Sequence, residues 1–204
     1  DVIWTSTCTA MSQVGIRASN DGFANVDVLL ASGIANPPGQ NTYTWRISDS
    51  VSPITPIGTG WQVKVINTAP GTPAEEVISN AFEIGANFSI SSHNTSAETC
   101  SVGNACTINW VTAGSVSNVI LEYSLNSTGG PWNLMHGGAS LGSNPGFINW
   151  TVPGGINPTT TVRYRISDGV FGHPSSSDMT DVDTKIVAQF PATDILLSPS
   201  SQPP

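Results

Sequence analysis

The stretch "VIWTS" at residues 2–6 returns roughly 100 residues later as "TINWVT" at 107–112, aligning Trp4 with Trp110. Three further stretches return with nearly the same offset. "SQVGIRAS" matches "SNVILEYS" and aligns Val14 and Ile16 with Val119 and Leu121. "TYTWRI" matches "FINWTV", Trp45 with Trp150, and "WQVKV" matches "VRYRI", setting Trp61, Val63 and Val65 against Val162, Tyr164 and Ile166. A repeat of this kind restricts the chain to a fold that is built twice. The period is that of one seven-stranded sandwich, about 100 residues. Helical periodicity is almost absent. The apolar runs are short, β-branched and aromatic, and Gly, Pro, Asn and Ser clusters separate them. Several alternate in and out: in "WQVKVI", Trp61, Val63 and Val65 point one way, Gln62 and Lys64 the other. The expected fold is all-β: two tandem immunoglobulin-like β-sandwich domains at 1–85 and 86–190, with 191–204 as a C-terminal donor strand or linker.

Each copy runs as a Trp-bearing strand, a V-x-I/L strand, a Y/F-x-x-W strand and a V-x-Y/V-x-I strand, and "SNAFEI" closes the first. This pattern resembles the Ser/Thr-rich GPI-anchored, yeast cell-wall-synthesis type of immunoglobulin-like domain, which also occurs as repeats in bacterial surface proteins. The stretch "INWTVPGGINPTTTVRYRISD", with Val152 and Pro153 after the Trp strand, carries the likeness most fully. The first copy departs there, with "WRISDSVSPITPIGTGW". The resemblance implies an Ig-like sandwich in an extracellular setting. Its motifs are packing motifs and bring no catalytic residues.

The copies differ before the Trp strand. "FSISS" precedes Trp110 and reads as the first strand of a sandwich, whereas only Asp1 to Ile3 precede Trp4. The first domain is therefore expected to lack its first strand. "DILLSPSS" follows "TKIVAQF" much as "FSISS" follows "AFEI", so Ile195, Leu196 and Leu197 are read as that strand, displaced to the far end of the chain. A sandwich with such a gap leaves unpaired N–H and C=O groups and an open stripe of core. The expected acceptor core is Ile3, Trp4, Val14, Ile16, Trp45, Trp61, Val63 and Val65. Filling the gap with a strand from another copy buries two or three large side chains, each contributing about 1.5–3 kcal/mol. Because donor and acceptor lie at opposite ends, the contact is heterologous and propagates into rings or filaments. Pro199, Pro203 and Pro204 would end the donated strand. Written onto a following copy, the tail reads "ILLSPSSQPPDVIW", so a two-domain piece of one long covalent repeat is the second reading. A frayed tail on a two-domain protein is the third.

Charged residues make up 10% of the chain, far below the usual quarter or so. The 6 basic and 14 acidic residues give a net charge of −8, which argues against nucleic acid or an anionic membrane as partner. No apolar run is long enough for a membrane span, and no signal peptide precedes Asp1, so the chain reads as a mature product or a piece of something longer. Cys100 and Cys106 bracket "SVGNA", a loop short enough to close as a disulfide in an oxidising compartment. Cys8 is left over, either as a small buried apolar residue or as an intermolecular thiol. Without paired C-x-x-C spacing a zinc site is not expected.

Catalytic constellations are not found. His93, His136 and His173 sit in Gly-, Pro- or Ser-rich loops and read as solvated. There is no nucleophile elbow, zincin helix or phosphate loop. Asp178, Asp181 and Asp183 cluster and make a weak calcium candidate, although Asp181 and Asp183 read as water-facing positions of a strand. No enzyme activity and no cofactor are expected. Most tryptophans recur at core positions. Trp132, in "GGPWNLMHGG", is the one candidate for stacking on a sugar, unless Met135 buries it. N-x-S/T occurs at Asn87, Asn94, Asn126 and Asn149, of which Asn94 and Asn126 read as the most accessible. The sequence thus points to a structural subunit of an extracellular filament or stalk, whose partners are copies of itself. The alternative is a module that binds carbohydrate or cell wall.

Overall fold

The structure, a computed structural model, describes residues 1–47, 57–138, 140–170, 173 and 175–189. The donor residues Ile195, Leu196 and Leu197 lie outside the described residues. The fold is all-β, and among the described residues no α-helix forms. No described helix is therefore long and apolar enough to cross a membrane. The first copy contains β1 (Val2–Ser6), β2 (Gln13–Ser19), β3 (Val28–Ala35), β4 (Gly39–Tyr43), β5 (Gly58–Asn67), β6 (Glu76–Ile78) and β7 (Phe82–Ile84). The second contains β8 (Asn87–Ile90), β9 (Thr99–Ser101), β10 (Ala105–Ala113), β11 (Val119–Ser124), β12 (Asn133–Leu134), β13 (Phe147–Thr151), β14 (Thr159–Asp168), β15 (Ser177–Met179) and β16 (Thr184–Val187). Two compact units divide the chain. Unit 1 is Asp1–Phe88 with Thr112–Val119 and the described part of Ser167–Ser177; unit 2 is Ser89–Val111, Ile120–Ile166 and 178–189.

In the first copy β1 and β4 form one sheet, with Val2 opposite Tyr43 and Trp4 opposite Asn41. The facing sheet has the order β3-β2-β5-β6, and β7 also pairs β5. Alternation decides what each strand buries. Trp61, Val63 and Val65 point inward from β5, Val14 and Ile16 from β2, and Trp4 from β1, and all are buried. The same parity sends Ile3 outward, 58% exposed, so it is not part of the core as hydrophobicity alone had indicated. Trp45 lies beyond the end of β4, half-buried, with edge-on contacts to Trp61 at 6.1 Å and Phe82 at 6.4 Å. It packs against the core but is not a strand residue.

The second copy repeats the plan with the sheets β13-β10-β8 and β12-β11-β14-β16-β9, and with β15 beside β14. Every aligned partner, Trp110, Val119, Leu121, Trp150, Val162, Tyr164 and Ile166, is buried. Three polar devices recur as well. Trp4 donates its indole N–H to Asn36 Oδ1 and Trp110 donates to Asn144 Oδ1, both at 2.8 Å. The Val63 N–H donates to the Ser79 hydroxyl at 2.9 Å, and its counterpart Tyr164 donates to Thr180 at 3.2 Å. Lys64 lies over the Phe23 ring and Arg165 over the Trp132 ring, each 4.3 Å from the centroid. The repeat therefore extends beyond apolar positions to the side-chain hydrogen bonds.

Candidate functional site

The copies part at their edges. In the second copy β8 pairs β10, and β9 runs parallel to β16 with Ile186 opposite Cys100. Phe88 and Ile90 of β8 point inward at 5% and 2% exposure, while Asn87 and Ser89 face out. The Ile90 N–H donates to Asp178 Oδ2 at 2.7 Å, and the Ser91 N–H donates to the Asn109 carbonyl at 2.9 Å. In the first copy, among the described residues, β1 pairs only β4, and β6 and β7 pair only β5. A free strand edge therefore stands on each side of the core opening.

Two clefts follow β1 along that opening. One, of about 590 Å³, is lined by Val2, Trp45, Val63 and Phe82 among others. The other, of about 220 Å³, is lined by Trp4, Val14, Val65 and Val77 among others. Core side chains form the walls of both. Around them Ile3, Ile47, Val77 and Ile78 are exposed, Val77 by 59%. Scattered single apolar residues are ordinary on a surface, whereas a row of them beside an unpaired edge is the kind of surface that can accept an added strand. The floor residues Trp4, Val14, Val63 and Val65 were legible as core positions from the sequence. Val77 and Ile78 were missed, because a three-residue strand exposed at every position shows no alternation.

A second cluster lies in unit 2. Cys100 on β9 and Cys106 on β10 are joined by a disulfide, with Cα atoms 5.5 Å apart. His93 packs against it and is 8% exposed, which corrects the reading of this loop histidine as solvated. Its Nε2 lies 3.5 Å from Cys106 Sγ, 3.9 Å from Cys100 Sγ and 3.2 Å from the Thr107 carbonyl. Tyr164 Oη is 3.3 Å from Cys100 Sγ, and burial pushes its phenol up to about 12. The loop that carries His93 is clamped by Glu98, which accepts from the His93 N–H and the Thr95 N–H, both at 2.9 Å. These bonds, His93 first, hold the Glu98 carboxyl below its ordinary 4.5. Sequence missed the cluster because its ligand atoms come from two strands and a loop, at spacings that match no metal motif.

The other expected sites disperse. Asp178 caps β8; Asp181 donates its N–H to Asn94 Oδ1 at 3.1 Å; Asp183 pairs with Arg163 at 2.5 Å and accepts from Ser127 at 2.8 Å. Each has its own partner, so the three do not form an oxygen cage. Asp183 also precedes β16 and Asp181 lies in a bend, not in a strand. His173 contacts Asp168 at 2.9 Å, and the half-buried His136 accepts from the Leu121 N–H at 3.4 Å, so neither is freely solvated. Asn87, Asn126 and Asn149 are exposed. Asn94 is half-buried and its amide is engaged on both sides, donating to the Ile90 carbonyl at 2.6 Å, so it is not the accessible sequon that its loop indicated. Cys8 is a free, half-buried thiol. Met135 is buried, but Trp132 is only half-buried, with the Arg165 guanidinium over its ring.

No protein-family model matches the chain, and no curated protein does. Among solved structures, the fibronectin(III)-like modules of Clostridium thermocellum CbhA are similar at 12% identity, with 91% of this chain and 82% of that one covered and a TM-score of 0.36. The IG1+IG2 pair of DIP-gamma is similar at 9% identity, with coverage of 93% and 89% and a TM-score of 0.28.

Proposed function

We propose that this chain is a structural subunit of an extracellular filament or stalk, strung head to tail by strand insertion. Ile195 to Leu197 of one copy lie along the free edge of β1 in the next. The observation that carries this reading is the open groove beside β1, at the place where β8 seals the second copy. The tail fits the groove by parity. Ile195 and Leu197 take the inward positions held elsewhere by Phe88 and Ile90, and Leu196 faces out where Ser89 does. The outer face adds one apolar pair to the match. On β10 the outward residues Thr107 and Asn109 are polar, like Asn87 and Ser89 of β8, and Val111 follows them on the same face. On β1 the outward residues are Ile3 and Thr5, and the tail offers Leu196 to Ile3. Cross-strand apolar pairs contribute about 0.2–1 kcal/mol. The same geometry holds if a peptide bond joins successive units.

Removal of residues 191–204 is expected to abolish polymers in electron micrographs and leave a folded monomer. A peptide of residues 191–204 added in excess is expected to cap growing filaments. Denaturing mass near 21.2 kDa identifies non-covalent subunits. Filaments that persist after truncation, undiminished, would overturn the proposal. The carbohydrate-module reading rested on Trp132. Arg165 covers one face of that ring and is itself tied to Glu122 at 2.6 Å, so a sugar stacking on that face would displace an ion pair.

A further inference from the structure

We propose that His93, Cys100 and Cys106 form a redox-exchangeable site: a disulfide when oxidised and, once reduced by a small dithiol, a seat for a soft divalent cation of the zinc type. The ligand atoms of all three residues lie within 4.8 Å of one another and all three residues are buried. In a tetrahedral zinc site, Zn–S of about 2.3 Å and Zn–N of about 2.05 Å place sulfur and nitrogen about 3.6 Å apart. His93 Nε2 already stands 3.5 Å and 3.9 Å from the two sulfurs. Only the sulfurs must part, to about 3.8 Å in the same geometry. They sit on β9 and β10, strands of two different sheets joined by a short loop, and separate when the S–S bond is cut.

The imidazole is held in place for this role. His93 has a left-handed backbone, φ 57°, which is rare for a non-glycine residue, and its N–H is fixed by Glu98. A strained residue that aims a buried ring at two sulfurs is the kind of outlier from which function is inferred. Soft thiolates and an imidazole together select zinc-like ions over calcium or magnesium. The Tyr164 hydroxyl, beside Cys100 Sγ, supplies the outer hydrogen bond that such ligands usually have.

The chemistry balances. The external dithiol reduces the disulfide to two thiols and is itself oxidised to a disulfide. On metal binding both thiols lose their protons to solvent. The His93 proton now shared with the Thr107 carbonyl moves to Nδ1, which frees Nε2. The β9 and β10 strands are stapled in both states, and the metal adds the loop after β8.

The test uses the Cys8→Ser chain, reduced and kept without oxygen, titrated with cobalt(II) and then zinc(II). The expected result is about one cobalt per chain, with a thiolate-to-cobalt charge-transfer band, displaced by zinc; the oxidised chain shows no band. His93→Gln should weaken binding at least about tenfold. Zinc should also raise the melting temperature of the reduced chain, a readout that needs no further variant. No cobalt band in the reduced chain, or equal binding by Cys106→Ser, overturns the proposal.

Discussion

Asn36 shows how a single side chain closes several accounts of hydrogen bonding at once. It accepts from Trp4, and its amide donates to Ser6 Oγ at 3.0 Å and to the Met11 carbonyl at 2.7 Å. Asn36→Ala leaves a buried indole N–H without a partner and is expected to cost about 1–3 kcal/mol in denaturant unfolding. Neither Asn36 nor Asn144 was legible in the sequence. They stand 32 and 34 residues after their tryptophans, in loops whose lengths differ, so the alignment of strands passes over them. His93 escaped for a related reason: loop composition signals exposure, while burial here depends on a tertiary contact. Two titrations follow at this scale. The lowered Glu98 carboxyl contributes stability that is present above its ordinary 4.5 and is lost as pH falls through the lower folded value. The His93 amide resonance should report that loss. Tyr164, raised to about 12, is neutral in the fold. Its contribution holds below the free phenol value of about 10 and disappears as pH climbs through the folded value, which ultraviolet titration of phenolate would follow.

Strand parity was the most legible feature of the elements. The alternation in "WQVKVI" placed Trp61, Val63 and Val65 correctly, and the tandem alignment gave the buried set of the second copy without further information. Very short elements were not legible. β6 and β9 have three residues each, too few for a period, and the closing strand of the first copy is split where Ser79 bonds back to Val63. Exposed Ile3 offers a discriminating variant. Ile3→Lys places a charge on an edge strand without entering the core, so it should prevent strand addition while the unfolding free energy stays within about 0.5 kcal/mol of the parent. Filaments formed as readily by Ile3→Lys would count against β1 as the docking edge. Conversely, Ile90→Ala removes a plug residue from the sealed copy and is expected to cost about 2–5 kcal/mol.

At the scale of the whole molecule, the low charge content has a kinetic consequence. Arg17, Lys64, Arg163 and Arg165 are already paired with carboxylates, and the chain carries −8 overall. Two copies therefore repel at long range, whereas the proposed contact would rest on the core side chains that wall the clefts beside β1. Raising ionic strength from about 0.01 to 0.15 M shortens the screening length from about 30 to 8 Å and should accelerate assembly; light scattering that slows with added salt would contradict this.

The unpaired edge of β1 also gives any such string an arrow. One terminus would present an empty slot and the other a donor segment with no slot to enter, so the two termini could not grow, anchor or be blocked by the same chemistry. A short foreign β-strand would poison only the slotted tip, and whatever secures the string to its surface must recognise one tip and ignore the other.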